Sequence, residues 1–287
     1  MSMIRRLCLL AAVAVLLGTV GCGNKPDEGG PGTNDNSTSG ANFKPTGNEG
    51  TISGKVNFNG DVPKAKTIDM SNDAYCAGKH SGGATSDAIT VNDGKFQDVL
   101  VYIKSDGLSK YKFDTPSSQV VLDQTGCMYA PHMMGMMTNQ QLSVKTSDQT
   151  NHNINAIAPN GDGFNEAQGA GAPDKKVKFA REEVIPVKCN QHSWMKATIA
   201  VFKHPYFAVT GKDGSFEFKD VPPGTYTIVA FHPNYGEKTA TVTVGNKESK
   251  TTDFTYSGNP TQAELIAPSG LALADPFVIS MPVAHHH

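Results

Sequence analysis

The chain has 287 residues, with 25 lysines and arginines against 27 aspartates and glutamates, a formal net charge of −2 and 38% hydrophobic residues. That balance holds no basic stripe and argues against a nucleic-acid partner. The length accommodates one large domain or two small ones.

In chain order, residues 1–21 carry two arginines, an apolar run from Leu7 to Leu17 and small residues just before Cys22. This is the pattern of a secretory signal, too short for a membrane span. Its end, "TVGC", resembles a bacterial lipoprotein signal. The resemblance implies that Cys22 becomes a lipidated first residue, so the protein is expected outside the cytoplasm, in the periplasm or at the cell surface, with its membrane contact through the lipid. Loss of residues 1–21 removes Arg5 and Arg6 and brings the charge to −4. Residues 22–50 hold Phe43 as their only large apolar residue and cannot bury a core, so they read as a flexible linker. As a coil, a linker of this length reaches about 30 Å.

From residue 51 onward, short alternating or β-branched runs follow one another, among them "SGKVNF", "VLVYIK", "QVVLD", "EEVIPVKC", "KATIAVFK", "SFEFKDV", "TYTIVAFH" and "TATVTVG". Punctuated by Gly, Pro, Asn and Asp, they predict an all-β fold of sandwiches or barrels. "KDGSF" and "PPGTY" carry turn residues where hairpins would close.

Five cysteines sort by context. Cys8 leaves with the signal and Cys22 carries lipid, so Cys76, Cys127 and Cys189 remain. In an oxidising compartment an odd thiol pairs with another chain or is protected by chemistry of its own, such as a metal. Three thiols allow three pairings. Cys76 and Cys127 both lie in Gly-rich, turn-like surroundings, and their pairing is the one that leaves Cys189 free.

Cys189 opens the stretch "CNQHSWM", which places a thiol, the His192 imidazole and the Met195 thioether within seven positions. Such a soft donor set suits copper. A second imidazole is offered by His152 in "TNHNINA", which follows a strand-like run. The upstream "HN" and the strand leading into "CxxHxxM" resemble cupredoxins, with the short ligand loop of amicyanin. The resemblance implies one type 1 copper held by His152, Cys189 and His192, with Met195 as weak axial donor. Asn153 and Asn190 match positions that bond across the two ligand loops, and the His192 ring edge is implied to be the exposed electron port. Trp194 is expected beside it, as an apolar contact, a shield or plain core packing.

The run "YAPHMMGMMTNQQLSVKTSDQTNHN" also resembles the cupredoxin course from an early core strand to the first histidine. Residues 205–256 resemble the transthyretin-like regulatory unit of carboxypeptidases, without a catalytic cluster. The expected organisation is a signal at 1–21, a linker at 22–50, a Greek-key cupredoxin-like sandwich at 51–204, a small transthyretin-like sandwich at 205–256 and a tail at 257–287. "SGKVNFNGDVP" near residue 53 looks similar to the later unit, which makes the two ends candidates to pair in one sheet with the copper unit between them.

The function implied is electron transfer with redox proteins, without an enzymatic step. Two alternatives stand beside it. One is a copper carrier or storage protein using the soft cluster His132, Met133, Met134, Met136 and Met137, although alternate methionines in a strand also read as core filling. The other is a metal-free structural or adhesive β protein. Zinc would want further close Cys or His ligands, and no protease motif surrounds Cys189. His80, His204 and His232 read as loop histidines, and His285–His287 as a natural tail or a remnant of expression.

Overall fold

The computed structural model describes residues 40–258. The signal, Cys22, linker residues 23–39 and the tail from 259 with its histidines lie outside the described residues.

The chain runs through β1 (Ala41–Asn42), β2 (Gly50–Asn59), β3 (Thr67–Ile68), the helix α1 (Ala74–Lys79), β4 (Ala84–Thr85), β5 (Val91–Asn92), β6 (Lys95–Phe96), β7 (Leu100–Ile103) and β8 (Tyr111–Lys112). Next come β9 (Val120–Thr125), β10 (Met128–Ala130), β11 (Met133–Met137), β12 (Leu142–Thr146), β13 (His152–Ala156), β14 (Phe164–Gln168), β15 (Lys175–Val177), β16 (Glu183–Lys188) and β17 (Lys196–Phe202). The last strands are β18 (Phe207–Val209), β19 (Ser215–Val221), β20 (Gly224–His232), β21 (Gly236–Val244), β22 (Ser249–Thr251) and β23 (Phe254–Ser257). The fold is all-β, and α1 is the only α-helix among the described residues.

Four sheets build two sandwiches. One sandwich packs the sheet β19-β2-β6-β5, with β22 and β23 also on β2, against the sheet β18-β7-β20-β21. Its core holds Ile52, Val56, Phe216, Phe218, Ile228 and Phe254. The other packs β11-β17-β16-β13-β14 against β10-β9-β12-β15 around Leu122, Met136, Val144, Ile185 and Ile199. A third cluster, with Leu100, Tyr102 and Val229 from one side and Met133, Ala200 and Phe202 from the other, joins the sandwiches face to face.

This layering explains the sequence patterns. β19 has its outer face in solvent and alternates, with Phe216 and Phe218 inward and Glu217 and Lys219 outward. β17 lies between two cores and is buried continuously from Ala197 to Phe202, as a strand covered on both faces must be. In "KDGSF" Gly214 turns the chain at φ +67, where an added Cβ would lie 2.5 Å from the Val56 carbonyl oxygen.

The topology corrects the domain boundary expected at 204. β2 pairs antiparallel with β19 and parallel with β22 and β23, and β7 pairs with β18 and β20. Residues 50–59 and 95–103 therefore belong to the sandwich completed by residues 207–257. The second sandwich, from β9 to β17, is the insertion between them, as the similarity between the two ends suggested.

Part of the expected linker is also structured. β1 pairs in parallel with β8, and Phe43 packs on Tyr111 and Phe113 at 5.4 and 5.1 Å between ring centroids. Two of the expected loop histidines are core residues, His204 stacking with Tyr206 and His232 with Phe96. Burial lowers both, His232 to about 3, so they stay neutral.

Candidate metal centre

The site forms where β13 runs beside β16, with Asn155 opposite Lys188, at the end where β16 turns into β17. Residues 189–195 make that turn. Cys189 N donates to Met195 O at 3.1 Å and Met195 N to His192 O at 2.9 Å, so the loop is closed upon itself. Cys189 and Met195 are buried within the core of the inserted sandwich.

Three donor atoms meet here. His152 Nδ1 and His192 Nδ1 are 3.0 Å apart, and Cys189 Sγ is 3.7 Å from His192 Nδ1. All three ligand atoms lie within 4.8 Å of one another on buried residues. The Asn153 N–H also donates to the sulfur at 3.4 Å.

Carboxylates occupy the far side of both rings. His152 Nε2 donates to Asp148 Oδ2 at 2.9 Å, and His192 Nε2 to Asp73 Oδ2 at 3.3 Å. A proton fixed on each Nε2 leaves each Nδ1 with its lone pair turned inward. Burial lowers the His152 pKa against the pull of Asp148, which keeps that ring neutral. Burial opposes ionisation of Asp148 and Asp73, yet backbone N–H groups and the imidazoles outweigh it, and both titrate below the usual carboxylate range. The two rings and the Cys189 sulfur thus converge on one pocket, with the two carboxylates behind the rings.

The donor set fits a metal ion by size as well. Bonds of about 2.0–2.1 Å to nitrogen and about 2.3 Å to sulfur place the nitrogens roughly 3.3–3.6 Å apart and sulfur roughly 3.6–3.8 Å from nitrogen. The Cys189–His192 separation already matches, and the two rings would part by roughly half an ångström.

The surroundings hold these groups firmly. Asp148 accepts from the N–H groups of Gly126 (2.8 Å) and Cys127 (2.7 Å) in the tight turn between β9 and β10, where both residues have positive φ. Asn190 N donates to Asn153 Oδ1 at 3.2 Å, and Asn153 Nδ2 to Asn165 Oδ1 and Glu166 O, both at 2.9 Å. The two asparagines thus tie the loops bearing His152 and Cys189 together. Cys76 and Cys127 form a disulfide, and Cys189 is the free thiol among the described residues.

One expectation is corrected. The His192 ring edge is not exposed: the residue is 4% accessible, with Asp73 and the Cys76 sulfur, 4.0 Å away, over its Nε2. Residues 67–85 form this cover. Trp194 is half-buried beside it, its ring 5.0 Å from that of His192 and its Nε1 donating to Cys127 O at 3.0 Å. It also lines an open cavity of about 1020 Å³.

The methionines of β11 fill cores, as the alternation in the sequence suggested. Alternation along β11 sends Met134 and Met136 into the inserted sandwich and Met133 into the seam between sandwiches. His132 instead lies between Asp87 and Asp98, each 3.4 Å away.

Asp148 and Asp73 were missed by sequence reasoning. Asp148 stands four residues before His152, a spacing that could have drawn notice, whereas Asp73 lies 119 residues before His192 and gave no signal.

A family model for the carboxypeptidase regulatory-like domain matches residues 192–257. No curated protein matches the chain. Among solved structures, a purple cupredoxin from Nitrosopumilus maritimus is 20% identical, covering 29% of this chain and 98% of that one, with a TM-score of 0.25. An oxidised amicyanin variant is 13% identical, covering 31% and 86%, with a TM-score of 0.27. A copper-containing nitrite reductase from Thermus scotoductus SA-01 is 16% identical over 31% of this chain, with a TM-score of 0.28; the match spans only 23% of that enzyme.

Proposed function

We propose that this chain binds one copper ion through His152, Cys189 and His192, with Met195 as a weak fourth donor, and carries single electrons between redox proteins outside the cytoplasm. The observation that carries this reading is the convergence of two Nδ1 atoms and a thiol while both Nε2 atoms are held by carboxylates. When bound by such a soft, rigid set, copper supplies a one-electron couple between Cu(I) and Cu(II) with little rearrangement of its ligands. The chain's own part is to hold the ligands still. The closed 189–195 loop, the Asn153–Asn190 tie and the two carboxylates do this.

Four protein donors leave no position for a substrate, so the reading is a carrier of electrons and not an enzyme. With His192 covered, Trp194, beside its ring and lining the open cavity, is the side chain over which redox partners are expected to dock. The lipid on Cys22 would keep the protein at a membrane, which fractionation of a Cys22→Ala variant tests.

The deciding experiment is a titration of the purified apo-chain with Cu(II), followed by its visible spectrum. The reading expects one copper per chain and an intense sulfur-to-copper charge-transfer band that disappears and returns on reduction and reoxidation. Failure to bind, or binding without colour, would leave the structural or carrier alternatives.

A further inference from the structure

The two half-cystines stand in matching positions. Cys76 N donates to Asp73 Oδ1 at 2.9 Å, and Cys127 N to Asp148 Oδ2 at 2.7 Å. These are the same two carboxylates that receive the Nε2–H groups of His192 and His152. One disulfide therefore spans the two groups that aim the imidazoles at each other.

The two sides are not equally secure. Asp148 belongs to the sandwich that bears His152 and also accepts from Gly126 N and Tyr75 Oη. Asp73 arrives on the cover, which is polar, carries a helix of only six residues and rests on a small cluster of Met70, Cys76, Ala84 and Cys127. Apart from the bridge, the cover is fastened by Thr150 Oγ1 donating to Asp73 Oδ2 (2.7 Å), His80 Nε2 on Gly126 O (2.8 Å), Tyr75 Oη donating to Asp148, and Trp194 packed beneath. Single hydrogen bonds each contribute little net, while ordering a segment with few apolar side chains is costly. The bridge closes a loop of 51 residues, which limits how far the cover departs when those bonds break.

We infer that the Cys76–Cys127 bridge is a latch that keeps Asp73 on His192, making Asp73 a positioning residue of the metal site and residues 67–85 the cover that keeps water from the His192 ring. The inference rests on His192 being a ligand. Its first readout nevertheless needs no metal, because it follows the proton on His192 Nε2 in the apo-protein.

The test compares the full chain with Cys76→Ser/Cys127→Ser, Asp73→Ala and Asp73→Asn, each labelled with ¹⁵N-histidine. The unaltered apo-protein should give slowly exchanging Nε2–H resonances assignable to His152 and to His192, beside those of the other buried histidines. The double-serine variant and Asp73→Ala should keep the first and lose the second. Asp73→Asn, with its single amide oxygen at the Oδ2 position and the Cys76 N–H bond given up, should keep both. In copper-loaded samples, release to a chelator should accelerate about ten- to a hundredfold in the first two variants and stay near the original in the third. A folded double-serine variant that retains the His192 resonance and the original release rate overturns the latch. Should that variant not fold, Asp73→Ala decides: loss of the resonance upholds the positioning role and retention overturns it. If the unaltered chain takes up no copper, the proposed function fails while the resonances still judge the latch.

Discussion

His152 and His192 meet Nδ1 to Nδ1 at 3.0 Å although they lie 40 residues apart, and each ring rests its opposite nitrogen on a carboxylate. Both rings are thereby oriented before any ion arrives, and the sulfur of Cys189 completes the convergence. Cys189→Ser should accordingly abolish the charge-transfer band, since the oxygen that replaces sulfur is neither soft nor readily deprotonated. His132→Ala, on a cluster with Asp87 and Asp98, should leave the band intact. Loss of colour in the His132 variant would refute the ligand set.

Met195 is fully buried beside Cys189, and leucine conserves most of its volume. Met195→Leu should keep copper bound and cost less than about 1.5 kcal/mol of stability. Its reduction potential should rise, because loss of a weak axial donor disfavours Cu(II) more than Cu(I). Voltammetry of the two proteins measures this, and an unchanged or lower potential would remove Met195 from the coordination set.

Gly135 faces Phe207, and an added Cβ would sit 2.4 Å from that ring, itself stacked on Phe202 at 4.9 Å. Gly135→Ala should destabilise the protein by about 1–3 kcal/mol in urea unfolding. The copper spectrum should not change, because the clash falls in the seam between sandwiches and not in the ligand loop.

His132 offers a pH test. Burial alone would lower its pKa, but the hydrogen bond to Asp87 and the charges of Asp98 and Asp87 raise it above the ordinary 6.5. A raised folded-state value means stabilisation that is full below 6.5 and fades as pH climbs through the folded value. Asp87 and Asp98 face this ring, and the nearby His232 stays neutral. His132→Gln should therefore be less stable than the parent at pH 5.5, with the gap closing by pH 9, as followed by chemical unfolding. A gap that persists or widens at pH 9 would mean that His132 acts through packing.

Several of these features were legible in the sequence because they are local. Strand alternation in "SFEFKDV", the turn at Gly214 and the compact spacing of Cys189, His192 and Met195 need only a few neighbouring residues. The sheet partners were not so accessible. The likeness of "SGKVNFNGDVP" to the later unit pointed to a pairing of the two ends, but not to the register that sets Val56 opposite Phe254 across almost two hundred residues, and the boundary fell at 204 instead of around the insertion. The His192 cover escaped for a related reason: residues 67–85 are polar and turn-rich, like any surface loop. They are fixed by a disulfide and a carboxylate, neither of which leaves a periodic trace. Asp73 and Asp148 were hidden by their commonness, since an acidic residue announces its partner only once the chain has folded.

The inserted sandwich has a consequence for portability. Residues from β9 to β17 form a contiguous stretch with both imidazoles, the thiol and the thioether, and they look like a cassette that could be moved to another scaffold. Asp73 and Cys76, however, belong to the host segment upstream. A transplanted stretch would carry Cys127 without its mate and His192 without its carboxylate. An engineered transplant would therefore have to take residues 67–85 along, because the insert alone lacks the carboxylate that holds the His192 Nε2.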